Sequence, residues 1–178
     1  MNAPGPLFGV GILNYNTRET LLRNVEGCLR SGIREDALMV WDNESVDGSG
    51  DAMAARFPHV RCVKSERNLG YAAGMNRLVA SLNSPFVVLV TADCFAPLST
   101  LERLVRCLES EEEVAVAGCQ LIDRRTGLIQ SEGGTITYPL GIPLSRNWQC
   151  QPGSPGTGLR AEVPYVDGAI LAVNRGKF

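Results

Sequence analysis

The chain has 178 residues, of which 44% are hydrophobic and 20% are charged, a composition typical of a globular domain with a sizeable core. Its 17 basic and 19 acidic side chains give a formal net charge of −2, so the charge balance gives no reason to expect a nucleic acid partner. No apolar run approaches the roughly 20 residues that a membrane-spanning helix requires.

Apolar runs of strand type alternate with helical patterns along the first two thirds of the chain. Strands are predicted at 7–13, 37–41, 59–63, 86–90 and 114–122, and helices at 16–32, 48–57, 72–83 and 99–110. This alternation predicts right-handed βαβ units, and therefore an α/β fold with a mostly parallel sheet flanked by helices. The continuously apolar strands agree, because helices cover both faces of such a sheet.

Local signals predict where two of the helices begin and where one of them ends. Asn16, with Glu19 three residues later, is expected to cap the first helix, and Gly32 is expected to lie just past its end. Ser99 and Glu102 have the spacing of a capping box at the start of the fourth helix.

After Ile122 the pattern becomes irregular. The sequence "DRRTG" predicts a turn between two short strands, and residues 139–164, with five prolines and four glycines, predict a long loop. Trp148 makes this loop a candidate lid or binding platform; the alternative is a surface loop with Trp148 held against the core. Strand character returns at 165–174, close to the end of the sequence, and an inner strand in this position favours a longer parent protein.

The six cysteines show no C-x-x-C spacing, so a zinc site is not expected. Most of them lie within apolar runs, as in "VRCV" and "VAVAGC". We therefore expect buried, reduced thiols and a cytosolic protein.

Polar, glycine or carboxylate residues follow each of the first four predicted strands. In any one loop this could be ordinary turn chemistry. In open parallel sheets, however, ligands bind beyond the carboxyl ends of the strands, where the strand order reverses, and four such loops together favour a binding site. The segments are Asn14–Asn16, Asp42–Gly48, Asn68–Tyr71 and Thr91–Asp93.

The common phosphate and hydrolase motifs are absent from the sequence. "GVGILN" has Asn14 where a dinucleotide fingerprint has its third glycine, and neither a P-loop nor a G-x-S-x-G elbow occurs. His59 is the only histidine, which gives little support to a serine-hydrolase triad.

A site lined by carboxylates could hold a diphosphate only through a divalent cation. A helix N-terminus near Ala72 would favour an anion, and Tyr15 supplies an aromatic ring nearby. Together these features suggest a nucleoside diphosphate bound with a metal ion.

Five segments, "GILNYNTRETLLRNVEGCL", "WDNESVDGSGD", "ERNLGYAAGMNRLV", "VLVTADCFAP" and "YVDGAILAVNR", resemble glycosyltransferase family 2 in order and spacing, in particular its rhamnosyltransferase-like branch. The resemblance runs from about Gly9 to Phe178. It implies the Rossmann-like GT-A fold of nucleotide-diphospho-sugar transferases in a single domain, residues 1–178. Residues 1–122 would form the nucleotide-sugar-binding half, and residues 123–178 would begin an incomplete acceptor-side half.

The resemblance also implies residue roles. Tyr15 would stack beside the base, Asp42 would bond the pyrimidine ring, and Asp93, in the family's D-x-D motif, would hold Mg²⁺ or Mn²⁺ against the diphosphate. Thr91 departs from the Asp or Asn that is usual at the first position of that motif, although its hydroxyl could still bond the ribose. The implied donor-binding set is Leu13, Tyr15, Asp42, Asp47, Asn68, Gly70, Ala73, Gly74, Asn76, Thr91 and Asp93.

The implied reaction is inverting transfer of a sugar, rhamnose in the named branch, from a nucleoside diphosphate to an acceptor hydroxyl. The family places the catalytic base after the strand that matches 165–174, so no base is assigned within this sequence; Asp167 lies on the acceptor side. The resemblance further implies a saccharide or lipid-linked acceptor and a role in cell-wall or polysaccharide synthesis. It also implies a cytoplasmic protein, either free or associated with the inner face of the membrane.

Two alternatives from other classes stay open. A nucleotidyltransferase should carry a basic, glycine-rich loop after the first strand, but here that loop is "NYNTRET", with Arg18 as its only basic residue. A nucleotide-sugar-binding module without activity is favoured by Thr91 and by the unassigned base. The choice between uridine and thymidine depends on the shape of the pocket.

Overall fold

The computed structural model describes residues 8–178, in which ten strands and four helices follow one another. The strands are β1 (Phe8–Asn14), β2 (Leu38–Asp42), β3 (Arg61–Lys64), β4 (Phe86–Thr91), β5 (Val116–Gly118), β6 (Leu121–Ile122), β7 (Ile129–Ser131), β8 (Gly134–Ile136), β9 (Pro143–Ser145) and β10 (Ile170–Asn174). The helices are α1 (Arg18–Arg30), α2 (Ser49–Arg56), α3 (Gly70–Ser81) and α4 (Leu98–Ser110). Leu7, where the first strand was predicted to begin, lies outside the described residues.

The central sheet has six strands in the order β3-β2-β1-β4-β10-β5. Its first four strands are parallel, and β10 runs antiparallel between β4 and β5. The predicted mostly parallel sheet is therefore confirmed. The strand order reverses between β1 and β4, since β2 and β3 lie on one side of β1 and β4 lies on the other. Such a reversal opens a crevice at the carboxyl ends of the two strands.

Buried apolar side chains cover both faces of the sheet. On one face α1, α2 and α4 pack through residues such as Leu21, Met53 and Leu101. On the other face α3 packs through Met75 and Leu78 against β1, β2 and β4. The helices predicted from apolar periodicity thus bury the faces that their sequences mark as apolar.

The single strand predicted at 114–122 is wrong, because the chain divides after Gly118. Residues 116–118 join the central sheet beside β10, whereas β6 pairs with β7 in a separate hairpin. Gly118 packs so closely against Val166 that an added Cβ would lie 2.9 Å from the Val166 Cβ atom. The predicted turn at 123–127 is present, closed by a bond of 2.8 Å from the Gly127 N–H to the Asp123 carbonyl.

Both predicted N-terminal caps are wrong. Asn16 has φ 53°, and its side chain accepts a bond from the Val46 N–H, so helix α1 begins two residues later at Arg18. Helix α4 begins at Leu98, directly after Pro97, so Ser99 lies inside its first turn. The predicted end of α1 is confirmed, because Gly32 follows the last residues of the helix with φ +102°.

The segment 139–164 is only partly irregular, because residues 143–145 form β9 and pair with β8. Trp148 is exposed rather than held against the core. Among residues 8–178, no helix has both the length and the apolar character needed to cross a membrane.

All six cysteines are free, but only Cys28 is fully buried and the other five are half-buried. The expectation of buried thiols therefore holds for one cysteine and is too strong for the rest. Burial raises the pKa of Cys28, Cys62 and Cys119 to about 11.

Candidate functional site

The loops after β1 and β2 are joined by a buried hydrogen-bond network. The Asn14 amide donates to Asp42 Oδ1 and to Ser45 Oγ, both at 3.0 Å, and Ser45 Oγ also accepts from the Asn16 N–H at 2.9 Å. Asn14 and Asp42 are both 0% exposed. The two loops are therefore fixed relative to each other at the carboxyl edge of the sheet.

The loop after β3 is attached to the loop after β2 by Asn43. Its amide donates to Asn68 Oδ1 at 2.8 Å, and its own Oδ1 accepts from the Leu69 N–H at 2.9 Å. Asn68 Oδ1 also accepts from the Gly70 N–H at 2.8 Å, so the side-chain oxygen of Asn68 is engaged within the loop. This clamp places the first turn of α3 at the same edge.

The turn after β4 carries Asp93 and is held from two directions. The Ala92 N–H donates to the Leu13 carbonyl at 3.0 Å, which keeps the turn against β1. The buried Asn24 amide, on α1, donates to the Cys94 carbonyl at 2.7 Å. Asp93 itself is exposed, so its carboxylate is accessible at the point where the strand order reverses.

Residues 165–169 complete this edge on the side of β10. The Thr91 N–H donates to the Ala169 carbonyl at 2.9 Å, and the Tyr71 hydroxyl, on α3, donates to the Gly168 carbonyl. Gly168 has no room for a side chain, because an added Cβ would lie 2.1 Å from the Tyr71 hydroxyl oxygen. The Ala169 N–H bonds Asp167 Oδ1 at 3.0 Å, which fixes that carboxylate beside the turn.

The electrostatics of this side of the edge are acidic. Burial raises the pKa of Cys94, and the carboxylates of Asp93 and Asp167 raise it further, against an opposing effect of the Thr91 hydroxyl. Burial also raises the pKa of Tyr71, with Asp167 and Cys94 adding to the effect. The carboxylates of Asp93 and Asp167 are thus both close enough to Cys94 to act on the same thiol.

Asp42 has one carboxylate oxygen without a partner. Its Oδ2 atom is buried, and no residue among those described donates a hydrogen bond to it. Gly50 adjoins this oxygen, since an added Cβ there would lie in ordinary contact with it at 3.7 Å. An unpaired buried carboxylate oxygen is costly unless a ligand supplies the missing donor.

The structure brings most of the predicted donor-binding residues to this one edge. Tyr15 is half-exposed there, and Thr91 lies directly beneath the Asp93 turn. Gly70, Ala73 and Asn76 are residues of α3, of which Ala73 and Asn76 are exposed.

Leu13 and Gly74 lie beneath the site and contact each other. Leu13 is 8% exposed, and an added Cβ at Gly74 would come 2.6 Å from Leu13 Cδ1. The pair lets α3 approach β1 closely, which sets the distance of the first turn of α3 from the crevice.

Asp47 joins the N-termini of two helices. It accepts from the Arg18 N–H at 2.8 Å, at the start of α1, and from the Ser49 N–H at 3.0 Å, at the start of α2. Desolvation raises its pKa, but the bonds from Ser49 and Arg18 outweigh it, so the pKa of Asp47 lies below its ordinary value. Asp47 therefore fixes the start of α1 against the start of α2.

The residues that connect these loops escaped the sequence analysis as functional positions. They are Asn24 and Gly168, whereas Asn43 and Ser45 lie within the predicted loop 42–48 but were given no role there. A weak signal existed for Asn24, because it is a polar residue within the apolar stripe of α1, and its burial required a partner.

The side chains at this edge could hold a divalent cation only together with oxygen atoms of a bound ligand. Among the residues from 8 to 178, no group of three or more His, Cys, Asp or Glu side chains is arranged to hold a metal ion. Mg²⁺ and similar ions are nevertheless bound through one or two carboxylates together with substrate phosphates. The exposed Asp93 carboxylate meets that requirement, with the Thr91 hydroxyl beside it.

Comparison with known proteins gives the family. The model of glycosyl transferase family 2 matches residues 10–156, and the chain belongs to this family. N-acetylglucosaminyl-diphospho-decaprenol L-rhamnosyltransferase, from two strains of Mycobacterium tuberculosis, is 39% identical over 49 residues, which are 28% of this chain and 16% of the relative.

Solved structures agree on the fold. The mannosyltransferase PcManGT from Pyrobaculum calidifontis, in complex with GDP-Man and Mn²⁺, superposes with a TM-score of 0.64 at 19% identity, over 97% of this chain and 46% of that one. S. aureus TarS 1–349 in complex with UDP-GlcNAc gives 0.57 at 16% identity, over 74% and 41%. The chain has the GT-A fold, and it spans less than half the length of these structures.

Proposed function

We propose that this chain carries the donor site of a glycosyltransferase that uses a nucleoside diphosphate sugar. One observation carries the proposal. The unpartnered, buried Oδ2 atom of Asp42, the last residue of β2, and the exposed carboxylate of Asp93, in the turn after β4, lie on either side of β1 at one edge of the sheet. In this proposal residues 8–122 form the donor half, and the segment from 123 onward begins the acceptor half.

The base of the nucleotide would be read by Asp42. A pyrimidine ring with an N–H group would donate to Asp42 Oδ2 and satisfy the oxygen that is otherwise unpaired. Tyr15, which is half-exposed, would cover the face of the ring, and the Thr91 hydroxyl would bond the ribose. Because the Asn14 amide already holds Oδ1, the carboxylate is oriented before the ligand arrives.

The diphosphate would lie between Asp93 and the first turn of α3. The Gly70 N–H is taken by Asn68, but no described side chain bonds the N–H groups of Tyr71 and Ala72. These two groups favour an anion, because the N-terminal end of a helix carries a partial positive charge. Asp93 would hold a divalent cation, Mg²⁺ or Mn²⁺, whose charge offsets the charge of the leaving diphosphate. Thr91 is a poor metal ligand, so we expect this cation to bind weakly without nucleotide.

The transfer itself would proceed with inversion. The acceptor oxygen forms a bond to the anomeric carbon while the bond to the diphosphate oxygen breaks, and the nucleoside diphosphate departs with the electron pair. A carboxylate base takes the proton of the acceptor hydroxyl. Asp167 borders the acceptor side of the site and would contact the acceptor, and rhamnose is the sugar we propose on the basis of the mycobacterial relative.

The donor site can be tested by thermal unfolding with UDP-, TDP- and GDP-sugars, each with Mn²⁺ or with EDTA. A ligand that binds only the folded chain raises its melting temperature. We expect a rise with one pyrimidine nucleotide sugar that requires Mn²⁺ and is lost in Asp93→Ala. Asp36→Ala is the matched control, because Asp36 is an exposed acid that precedes β2, at the opposite end of that strand from the site.

If no nucleotide sugar shifts the melting temperature, the proposed donor site is wrong. A shift that needs no metal and survives in Asp93→Ala would keep the nucleotide site but overturn the role of Asp93. A shift without any sugar transfer to an acceptor would favour the binding-module alternative over an active transferase.

A further inference from the structure

The hairpin formed by β8 and β9, residues 134–145, is an uncharged segment with large exposed apolar side chains. Between Glu132 and Arg146 the sequence contains no acidic or basic residue. Tyr138 is 97% exposed and Leu140 is 74% exposed at the tip of the hairpin. A contiguous exposed apolar segment of this kind marks an interaction surface.

The exposed apolar side chains lie on both faces of the hairpin. Thr135 pairs with Leu144, and Ile136 pairs with Pro143, so Leu144 and Ile136 point to opposite faces. Leu144 is 54% exposed and Ile136 is 52% exposed. A protein partner docked on a sheet would cover one face, whereas an apolar medium that surrounds the hairpin would cover both.

The backbone of the tip is partly hydrogen-bonded within the hairpin. The Thr137 N–H bonds the Ile142 carbonyl at 2.9 Å, and the Gly141 N–H bonds the Thr137 carbonyl at 2.7 Å. The Ile142 N–H bonds the Thr137 hydroxyl at 3.1 Å, and Pro139 and Pro143 have no N–H group. Among the described residues, no acceptor bonds the N–H groups of Tyr138 and Leu140. The tip therefore suits the hydrated headgroup region rather than the hydrocarbon core, where every backbone donor must be bonded.

The base of the hairpin adjoins the acceptor side of the site. Gly134 forms an isolated bridge with Tyr165, and the Tyr165 hydroxyl hydrogen-bonds Ser145 Oγ at 3.1 Å. Tyr165 lies two residues before Asp167. Arg146 and the exposed Trp148 come directly after the hairpin in the sequence. Arg and Trp are side-chain types that are found where a protein meets lipid headgroups.

We propose that the tip of this hairpin inserts into the headgroup region of a lipid bilayer and so holds the acceptor side of the site at the membrane surface. Shallow insertion of a few apolar side chains, with one adjacent cation, gives reversible binding that anionic lipids strengthen. The inference rests on the proposed function only where it concerns the acceptor, whose hydroxyl would then be presented by a lipid-linked molecule in the same membrane.

The test is co-sedimentation of the whole chain with vesicles of phosphatidylcholine and phosphatidylglycerol, without nucleotide. We expect binding that falls by roughly tenfold or more in the double variant Tyr138→Ser/Leu140→Ser, because two inserting side chains are lost. Leu159→Ser is the matched control, since Leu159 is 64% exposed but lies outside the hairpin. Circular dichroism and thermal unfolding verify that each variant is folded.

A second variant reports insertion directly. In Leu140→Trp, the new fluorophore should shift its emission to shorter wavelength on vesicles and be quenched by lipids brominated near the headgroups. The proposal is overturned if the chain does not sediment with vesicles, or if the double variant and Leu159→Ser lose binding equally. It is also overturned if sedimentation velocity shows that the chain self-associates and that the double variant abolishes this self-association. A second copy of the chain, rather than lipid, would then cover the hairpin. Because donor binding is measured without vesicles, failure here leaves the donor site standing, and the reverse also holds.

Discussion

Asn24 and Cys94 are 70 residues apart in the sequence, yet the Asn24 amide donates a hydrogen bond of 2.7 Å to the Cys94 carbonyl. The same amide lies 3.4 Å from the Thr91 carbonyl and 3.5 Å from the Ala92 carbonyl. A single buried side chain on α1 thus contacts backbone carbonyls on both sides of Asp93. Asn24 is a positioning residue, since it acts on the site through the turn that bears this carboxylate.

Asn24→Ala removes this support. We expect a loss of about 1–3 kcal/mol in the free energy of unfolding, because buried carbonyls lose their donor. We also expect the enhancement of nucleotide binding by Mn²⁺ to fall several-fold, while nucleotide binding in EDTA stays near the wild-type value. Urea unfolding and calorimetric titration measure the two effects.

Arg23→Ala is the control for Asn24→Ala, because Arg23 is the neighbouring exposed residue on the same helix. It should change the unfolding free energy by less than about 0.5 kcal/mol. An Asn24→Ala variant that is destabilised but keeps the full Mn²⁺ effect would show a structural role alone.

Two glycines in helices should respond to alanine in opposite directions. At Gly74 the new methyl group would meet Leu13 Cδ1 at 2.6 Å, and we expect a destabilisation of about 1–3 kcal/mol. At Gly27 no atom lies within 4 Å, and we expect a stabilisation of about 0.5–1 kcal/mol from the helix preference of alanine.

The contact with Leu13 can be isolated by a double-mutant cycle. In a Leu13→Ala background the methyl group of Gly74→Ala enters vacated space, so the combined loss should be smaller than the sum of the two single losses. Urea denaturation measures all four species. Additive losses would place the cause of the Gly74→Ala effect away from Leu13.

Glu132 should make the stability of the loop at 146–158 depend on pH. It accepts from Asn147 at 2.6 Å, from the Gly158 N–H at 2.7 Å and from Gln120. Desolvation raises its pKa, but these bonds and the charge of Arg146 outweigh it, so the pKa of Glu132 in the folded chain lies below its ordinary value. The stabilisation that the ionised Glu132 side chain contributes is therefore complete at a pH above its pKa in the unfolded chain, near 4.5. This contribution is lost as the pH falls through the lower pKa of the folded chain.

Glu132→Gln should flatten the decline of stability below about pH 4.5 and lower the stability at pH 7. Glu113→Gln is the control, because Glu113 is exposed. Urea midpoints between acid and neutral pH provide the measurement. Parallel pH profiles of wild type and Glu132→Gln would contradict the assignment.

Three of the thiols should react slowly in the folded chain. The pKa of Cys28, Cys62 and Cys119 is raised to about 11, so at pH 8 the thiolate fraction is about 100-fold smaller than for an ordinary cysteine. Alkylation with iodoacetamide, followed by mass spectrometry of the peptides, should label these three only after unfolding. Rapid labelling of any of them in the native chain would contradict the raised pKa of that thiol.

The fold was largely predictable because its signals are local. Continuous apolar runs such as 86–90 predicted the buried parallel strands, and the apolar stripes of the helices predicted the layers on both faces of the sheet. The error at 114–122 arose because nothing in that run marks a change of sheet. The close contact of Gly118 with Val166 is made by residues 48 positions apart, which no local pattern shows.

The site was predictable as a set of loops but not as a network. Turn residues located the segments, whereas the partners of those residues are distant in sequence: Asp47 bonds the Arg18 N–H across 29 positions, and Asn43 bonds Asn68 across 25. The prediction that Asn16 caps α1 was wrong for the same reason, because the Asn16 side chain accepts a hydrogen bond from the distant Val46 N–H instead. The exposure of the β8–β9 hairpin was also beyond sequence reasoning, since proline and glycine indicated only a loop.

The most direct test of the donor site is calorimetric titration of UDP, TDP and GDP into wild type and Asp42→Asn, with Mn²⁺ present. The amide introduced by this substitution would keep an acceptor for the Asn14 amide and present a donor where Oδ2 stood, so it faces the ring N–H of the base with a second donor. We predict that one pyrimidine nucleotide binds the wild type and that its affinity falls by about 10–100-fold in Asp42→Asn but not in Asp36→Asn. Unchanged affinity in Asp42→Asn, or no binding of any nucleotide to the wild type, would contradict the assignment of this edge as the donor site.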